Sequence, residues 1–273
     1  MQNDDKKDVE WGKDDPRWDT KIPNWWEEDN FVSPVGPAEE SEKSFWINQG
    51  QNMLKQKLEQ KLNMNKAKNV VIFIGDGMGL GTLMATRSYM NDVNTKLSFE
   101  KFPHVGLAKT YCVNYQVPDS GCTATAILSG IKNNYATIGV TAAVNLRECL
   151  KQQDNKTHVD TIFKFAQDAG KSTGVVTTTR ITHATPASAY AHSSSRYWES
   201  NENTLVGCED IAHQLIHGAV GSKLDVAMGG GRRHFLPTEA SGLRTDGRNL
   251  LNEFKTKNGL RSKIVESKVS LKN

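Results

Sequence analysis

The hydrophobic pattern of this chain begins late. Residues 1 to about 40 are rich in Asp, Glu, Pro and Trp, echo Pro16-Arg17-Trp18 in Pro23-Asn24-Trp25, and show no apolar period of 2 or 3.6. Few aliphatic side chains among many charges bury too little surface to offset chain entropy, so this stretch reads as a mobile or loosely docked N-terminal arm. A Trp-bearing docking peptide is the alternative. From Ser44 the pattern changes. Trp46, Met53, Leu54, Leu58 and Leu62 fall at helical spacing and predict an amphipathic helix that packs on the domain. The apolar, β-branched run through Asn69-Val70-Val71-Ile72-Phe73-Ile74 meets Gly75-Asp76-Gly77-Met78-Gly79 at once, which predicts a buried strand running into a tight turn. The alternation then repeats. Val159 to Ala169 is helical and closes at Gly170, Thr173 to Thr178 is a β-branched strand, Ile211 to Ile216 is helical, and Leu224 to Met228 is a strand ending in Gly229-Gly230-Gly231. Strands alternating with helices predict an α/β domain over residues 41–273, with a mostly parallel sheet covered on both faces. Ligands gather at the carboxyl ends of such strands, where Asp76, the segment after Thr178 and the triple glycine lie.

Charge and cysteine usage narrow the class. The 34 basic and 31 acidic residues leave a formal net charge of +3 with no basic block, so neither nucleic acid nor an anionic membrane is expected, and a small solute is. No apolar run approaches the roughly 20 residues of a membrane-spanning helix, and the acidic, Trp-rich first residues do not read as a secretion signal. Cys112, Cys122, Cys149 and Cys208 form no CxxC motif and leave the compartment open. Asn155 opens the one glycosylation sequon, Asn155-Lys156-Thr157.

Several residues could carry chemistry. Asp76, in a glycine turn at a strand end, suits a cation, or is a turn aspartate that bonds its own backbone. A dinucleotide loop is disfavoured because Leu80 and Thr82 break the GxGxxG spacing. Ser120, in Pro118-Asp119-Ser120-Gly121-Cys122, precedes an Ala-rich helical stretch, where a helix N-terminus favours an oxyanion or phosphate; it can equally be an N-cap. Its neighbours match neither Gly-x-Ser-x-Gly nor the Cys-x-Pro-x-Arg of sulfatases. His183 and Thr185, two apart, can face one site from an extended segment, and Arg196 has the planar fork that grips phosphate. His213 and His217 have metal-binding spacing, but Gln214 replaces the glutamate of His-Glu-x-x-His, so they read as ordinary helix residues.

Three of these stretches together, Val71 to Gly79, Val117 to Gly121 and Thr178 to Pro186, resemble the animal-type alkaline phosphatases, with weaker similarity from about Phe45 to Gly259 that includes Val226 to Arg232. The resemblance implies a three-layer α/β/α fold, of which this chain would be the N-terminal part. It implies that Ser120 is the nucleophile that becomes phosphoserine and also binds zinc, and that Asp76 bridges magnesium and one of two zincs. Thr185 would bind magnesium where many animal members carry serine, His183 would stand beside it and order its waters, and Arg196 would hold two phosphate oxygens. Cys149 and Cys208 match a disulfide pair of the family, whereas Cys112 and Cys122 have no expected partner. The complete enzyme implied is an extracellular or cell-surface homodimeric glycoprotein with two Zn2+ and one Mg2+ per site, acting on small phosphate monoesters, its membrane link a lipid (GPI) anchor not contained here. Most zinc ligands of the family fall in a C-terminal half outside this sequence. The expectation is therefore a catalytically incomplete fragment, or a non-catalytic form that binds phosphate or pairs with a full-length partner.

Overall fold

The computed structural model describes residues 38–90, 95–259 and 262–267, so the expected arm lies almost wholly outside the described residues. The chain divides into two compact units between Gly106 and Leu107. In the first, helix α1 (Lys43–Glu59) forms as the spacing predicts. Within its own unit nothing covers its apolar stripe: none of the helix residues is buried, and Leu54 and Leu58 are mostly exposed. Trp46 instead donates its indole N–H to the Glu40 carbonyl at 2.8 Å. Val70 to Ile74 is an exposed segment rather than the buried strand expected, with no ladder partner among the described residues. The turn after it does form. Met78 N–H donates to the Gly75 carbonyl at 3.3 Å, with Gly77 at φ 68°, where only glycine is unstrained. Helix α2 (Leu80–Tyr89) follows from Gly79.

The second unit carries helices α3 (Ser120–Ser129), α4 (Cys149–Gln152), α5 (Ile162–Asp168), α6 (Ala184–Ala187), α7 (Ile211–His217) and α8 (Leu250–Asn258) around two strands, β1 (Gly174–Arg180) and β2 (Val226–Gly230). The strands pair in parallel, Gly174 opposite Val226 and Val176 opposite Met228, and the register slips before Arg180 meets Gly230. Ile138, Ile181, Tyr190, Ile211, Leu215, Phe235 and Leu250 form the core, against which Phe163 of α5 and Val175 of β1 pack. Val175 and Val176 point to opposite faces, as period 2 requires, and Val176 is 72% exposed, so this unit covers one face of β1 more fully than the other. No described helix is long and apolar enough to cross a membrane.

Two close approaches fix the loop ahead of the site. Gly139 has φ 60°, and a Cβ there would lie 2.1 Å from the Ala191 carbonyl oxygen. Left-handed strain and the clash add, so Gly139→Ala should lower stability by about 2 kcal/mol or more, read as a fall in the urea midpoint. Beside it the rings of His158 and His192 stack at 4.1 Å, and His192 Nδ1 pairs with the Gly139 carbonyl at 2.5 Å. Burial, with His158 adding a like charge, pushes the His192 imidazole down to about 4, against the opposing pull of the Gly139 carbonyl and Asp160. The unfolded chain then takes up this proton first. Stability is full above the unfolded histidine value of about 6.5 and falls by up to about 1.4 kcal/mol per pH unit as pH drops towards 4. Urea midpoints measured across that window should show this slope in the unaltered chain and lose it in His192→Gln.

Candidate active site

Asp119 organises the site. It is the N-cap of α3, accepting Gly121 N–H at 2.9 Å on Oδ2 and Cys122 N–H at 3.3 Å on Oδ1, so the cap at this helix is Asp119 and Ser120 is the first helical residue. Its Oδ1 also accepts Ala136 N–H at 2.8 Å, and its Oδ2 accepts Arg196 Nη1 at 2.9 Å. The carboxylate side chain is 6% exposed and the arginine 16%, which makes this a largely desolvated pair bearing directly on the serine turn. The arginine is aimed a second time: its backbone N–H donates to the Ala136 carbonyl at 2.8 Å. Its Nη2 stands 3.1 Å from His183 Nε2. A guanidinium only donates, so Nε2 is the acceptor in this contact.

The remaining elements hold this group from behind. Strand β1 ends at Arg180, whose carbonyl accepts His183 N–H at 2.9 Å, and His183 leads into the single turn of α6 that carries Thr185. Thr125 of α3 donates to the Gly121 carbonyl at 2.8 Å and accepts Gly139 N–H at 3.0 Å, while Ser188, just past α6, reaches the same Gly121 carbonyl at 3.4 Å. Arg180 is taken up structurally. Its guanidinium grips Glu199 through two bonds of 2.8 and 2.7 Å, and Thr182 donates to the same carboxylate at 2.7 Å. Burial raises the Glu199 carboxyl, but these donors outweigh it and hold it below the usual carboxylate range.

The second unit thus brings Ser120, His183, Thr185 and Arg196 onto α3, the end of β1, α6 and the segment after it. Asp76 belongs to the first unit, at the tip of its glycine turn. Asn155 is exposed at the start of a short 3-10 turn, as a glycan acceptor must be. Cys149 and Cys208 are bonded to each other across 59 residues. The expectation that Cys112 and Cys122 lack partners is corrected: they are bonded to one another, the turn at Val113-Asn114 reversing the chain after Cys112 and their Cα atoms standing 5.7 Å apart. His213 and His217 stay in the role expected of them, with His217 joining Glu253 and Arg248 on the surface of α7 and α8. Asp119 is the functional residue that motif and resemblance pass over, although an aspartate directly ahead of a helical stretch is an N-cap signal.

The family model for alkaline phosphatase matches residues 67–273. A membrane-bound alkaline phosphatase of Bombyx mori is 46% identical over 239 residues, covering 80% of this chain and 44% of that protein. The tissue-nonspecific alkaline phosphatase of Homo sapiens is 45% identical over 249 residues, covering 83% and 47%. Among solved structures, the alkaline phosphatase of the Antarctic bacterium TAB5 is 33% identical with a TM-score of 0.50, covering 67% of this chain and 44% of that one; a His 135 Glu mutant of the same enzyme, at TM-score 0.51, is described with Mg bound in its M3 site. The chain belongs to the alkaline phosphatase family, and it spans about half the length of the curated relatives it matches.

Proposed function

We propose that this chain carries the nucleophile half of a phosphomonoesterase site, with Ser120 attacking the phosphorus of a phosphate monoester to give a phosphoserine that water later hydrolyses. The observation that supports the reading is the Ser120–Asp119–Arg196–His183 arrangement: a serine on the first turn of a ten-residue helix, next in sequence to an aspartate whose carboxylate holds Arg196, whose other terminal nitrogen meets His183. The helix N-terminus and the guanidinium both favour a dianionic group, and the arginine's fork matches two equatorial phosphate oxygens. The Asp119 bond leaves Nη1 fixed in direction, so little ordering remains to be done when phosphate arrives.

The donor set fits divalent metals in part. Asp76, Ser120 and Thr185 offer hard oxygens of the kind magnesium and zinc accept, and His183 stands beside them in role. Among the described residues only Cys112, Asp119 and Cys122 bring three metal-type ligand atoms together, and two of these are the sulfurs of a disulfide. Two zincs and one magnesium, the complement expected of a complete site, would therefore take further ligands from elsewhere in a longer protein. Such metals, when bound, lower the serine hydroxyl pKa and neutralise charge on the transferring phosphoryl group. In the same reading the complete protein is a homodimer at the cell surface, lipid-anchored and glycosylated at Asn155, and acts on small phosphate monoesters.

The test is hydrolysis of a chromogenic phosphate monoester at alkaline pH, with zinc and magnesium, by this chain and by a longer form. Ser120→Ala should cut turnover by about a thousandfold or more wherever turnover is found, and a chelator should abolish it. Full activity in Ser120→Ala would sink the assignment. A longer form that is active beside an inactive 273-residue chain would support the incomplete-site reading over a non-catalytic phosphate binder.

A further inference from the structure

The Cys112–Cys122 disulfide takes no part in the reaction above, yet it is built into the same turn as Ser120. Both cysteines are buried, at 1% and 2% exposure, whereas every residue from Val113 to Val117 between them is exposed. Cys122 is the third residue of α3, and its Sγ lies 3.5 Å from the Asp119 carbonyl oxygen. Cys112 Sγ lies 3.9 Å from Asp119 Oδ1, the oxygen that accepts the Cys122 and Ala136 amides. At the other end the cysteine is anchored: Cys112 N–H donates to the Tyr115 carbonyl and Val113 N–H to the Asn133 carbonyl, both at 3.0 Å. A covalent tie therefore runs from an anchored backbone segment to the first turn of the nucleophile's helix, passing beside the carboxylate that aims Arg196.

Its placement separates this bond from the other disulfide. Stabilisation by a cross-link grows with the length of the loop closed, so the bond spanning 59 residues is the stronger general staple and the bond spanning 10 the weaker. A helix's first turn is the part that opens most readily, because its leading amides have no partner inside the helix. The short bond secures that turn and little else.

We propose that the Cys112–Cys122 disulfide is a positioning device for Ser120: it holds the first turn of α3 and Asp119 in register with Arg196, and its reduction loosens that turn while the rest of the unit stays folded. The step is thiol–disulfide exchange. A dithiol reductant supplies two electrons and two protons to the sulfur–sulfur bond, leaving Cys112 and Cys122 as thiols and departing as its own cyclic disulfide. The catalytic meaning rests on the reading of Ser120 as nucleophile; the structural claim does not.

The experiment compares amide hydrogen exchange in three forms of the full chain: unaltered, Cys112→Ala with Cys122→Ala, and Cys149→Ala with Cys208→Ala. The first double variant should exchange about tenfold faster in the segment 118–126 and unchanged across α7. The second should lose protection broadly, with no excess at 118–126. A dithiol added to the Cys149→Ala, Cys208→Ala form should reproduce the local effect, and reoxidation should reverse it, which keeps the question decidable if the first variant does not fold. Equal exchange at 118–126 with and without the Cys112–Cys122 bond overturns the proposal, as does loosening spread evenly over the unit. In whatever form turns over a chromogenic monoester, loss of the bond should lower kcat by about tenfold and leave KM within about twofold. If none of these forms turns over substrate, as the incomplete-site reading expects of the 273-residue chain, the exchange data by themselves decide the role of the disulfide, and the phosphatase reading is decided separately by the longer form.

Discussion

Replacing Arg244 by alanine should destabilise the second unit by about 3 to 5 kcal/mol, a large part of the roughly 5 to 15 kcal/mol that holds a typical domain folded. Arg244 is 1% exposed and is among the largest fully buried side chains. Its guanidinium meets Asp210 through two bonds of 3.1 and 3.0 Å, Asp246 at 3.1 Å through Nε, and the His234 carbonyl at 3.4 Å. Asp210 is 3% exposed and caps α7 by accepting His213 N–H at 2.8 Å, so removing the arginine strands a buried carboxylate at the head of a core helix. Arg244→Lys should recover only part of the loss, because one ammonium cannot reproduce the planar fork. Urea unfolding checks this. Arg244→Ala and Asp210→Ala should also be strongly non-additive in the double variant, since each alone leaves the other's charge buried.

The second large effect is expected at Asp119. Asp119→Ala removes an N-cap, worth about 1 kcal/mol, and leaves Arg196 without its carboxylate in a setting where breaking such a pair costs about 3 kcal/mol or more. Three backbone N–H groups, of Gly121, Cys122 and Ala136, lose their acceptor at the same time. The expected total is about 3 to 4 kcal/mol, less than for a fully buried pair because the Arg196 side chain keeps 16% exposure. Asp119→Asn keeps a cap acceptor while losing the charge and should cost about half as much. Equal urea midpoints for Asp119→Ala and the unaltered chain would mean that this carboxylate does not organise the serine turn.

What the sequence determined by itself was local. Periodicity placed α5, β1, α7 and β2 within a few residues of where they stand, because a 3.6 or 2.0 repeat in apolar positions is imposed by each element's own geometry. Family motifs written in short runs were legible for the same reason, and so was the turn at Gly75 to Met78, where one glycine must take positive φ. The tertiary structure decided everything that joins distant positions. Asp119 and Arg196 are 77 residues apart, Arg180 and Glu199 are separated by 19 residues, and Arg244 reaches Asp210 across 34. No local pattern marks which charge will meet which.

The apolar run at Val70 to Ile74 makes the same point from the other side. Its composition states a preference for a strand, but a strand exists only when a neighbour takes up its amides and carbonyls, and the described residues of its own unit offer none. The cysteines divide likewise. One pair followed from resemblance, while Cys112–Cys122 became visible only once the chain had turned at Val113-Asn114 and brought two sulfurs together. Sequence sets what each segment can form by itself, and the fold settles which charges, thiols and backbone groups are left to meet when apolar surface leaves water.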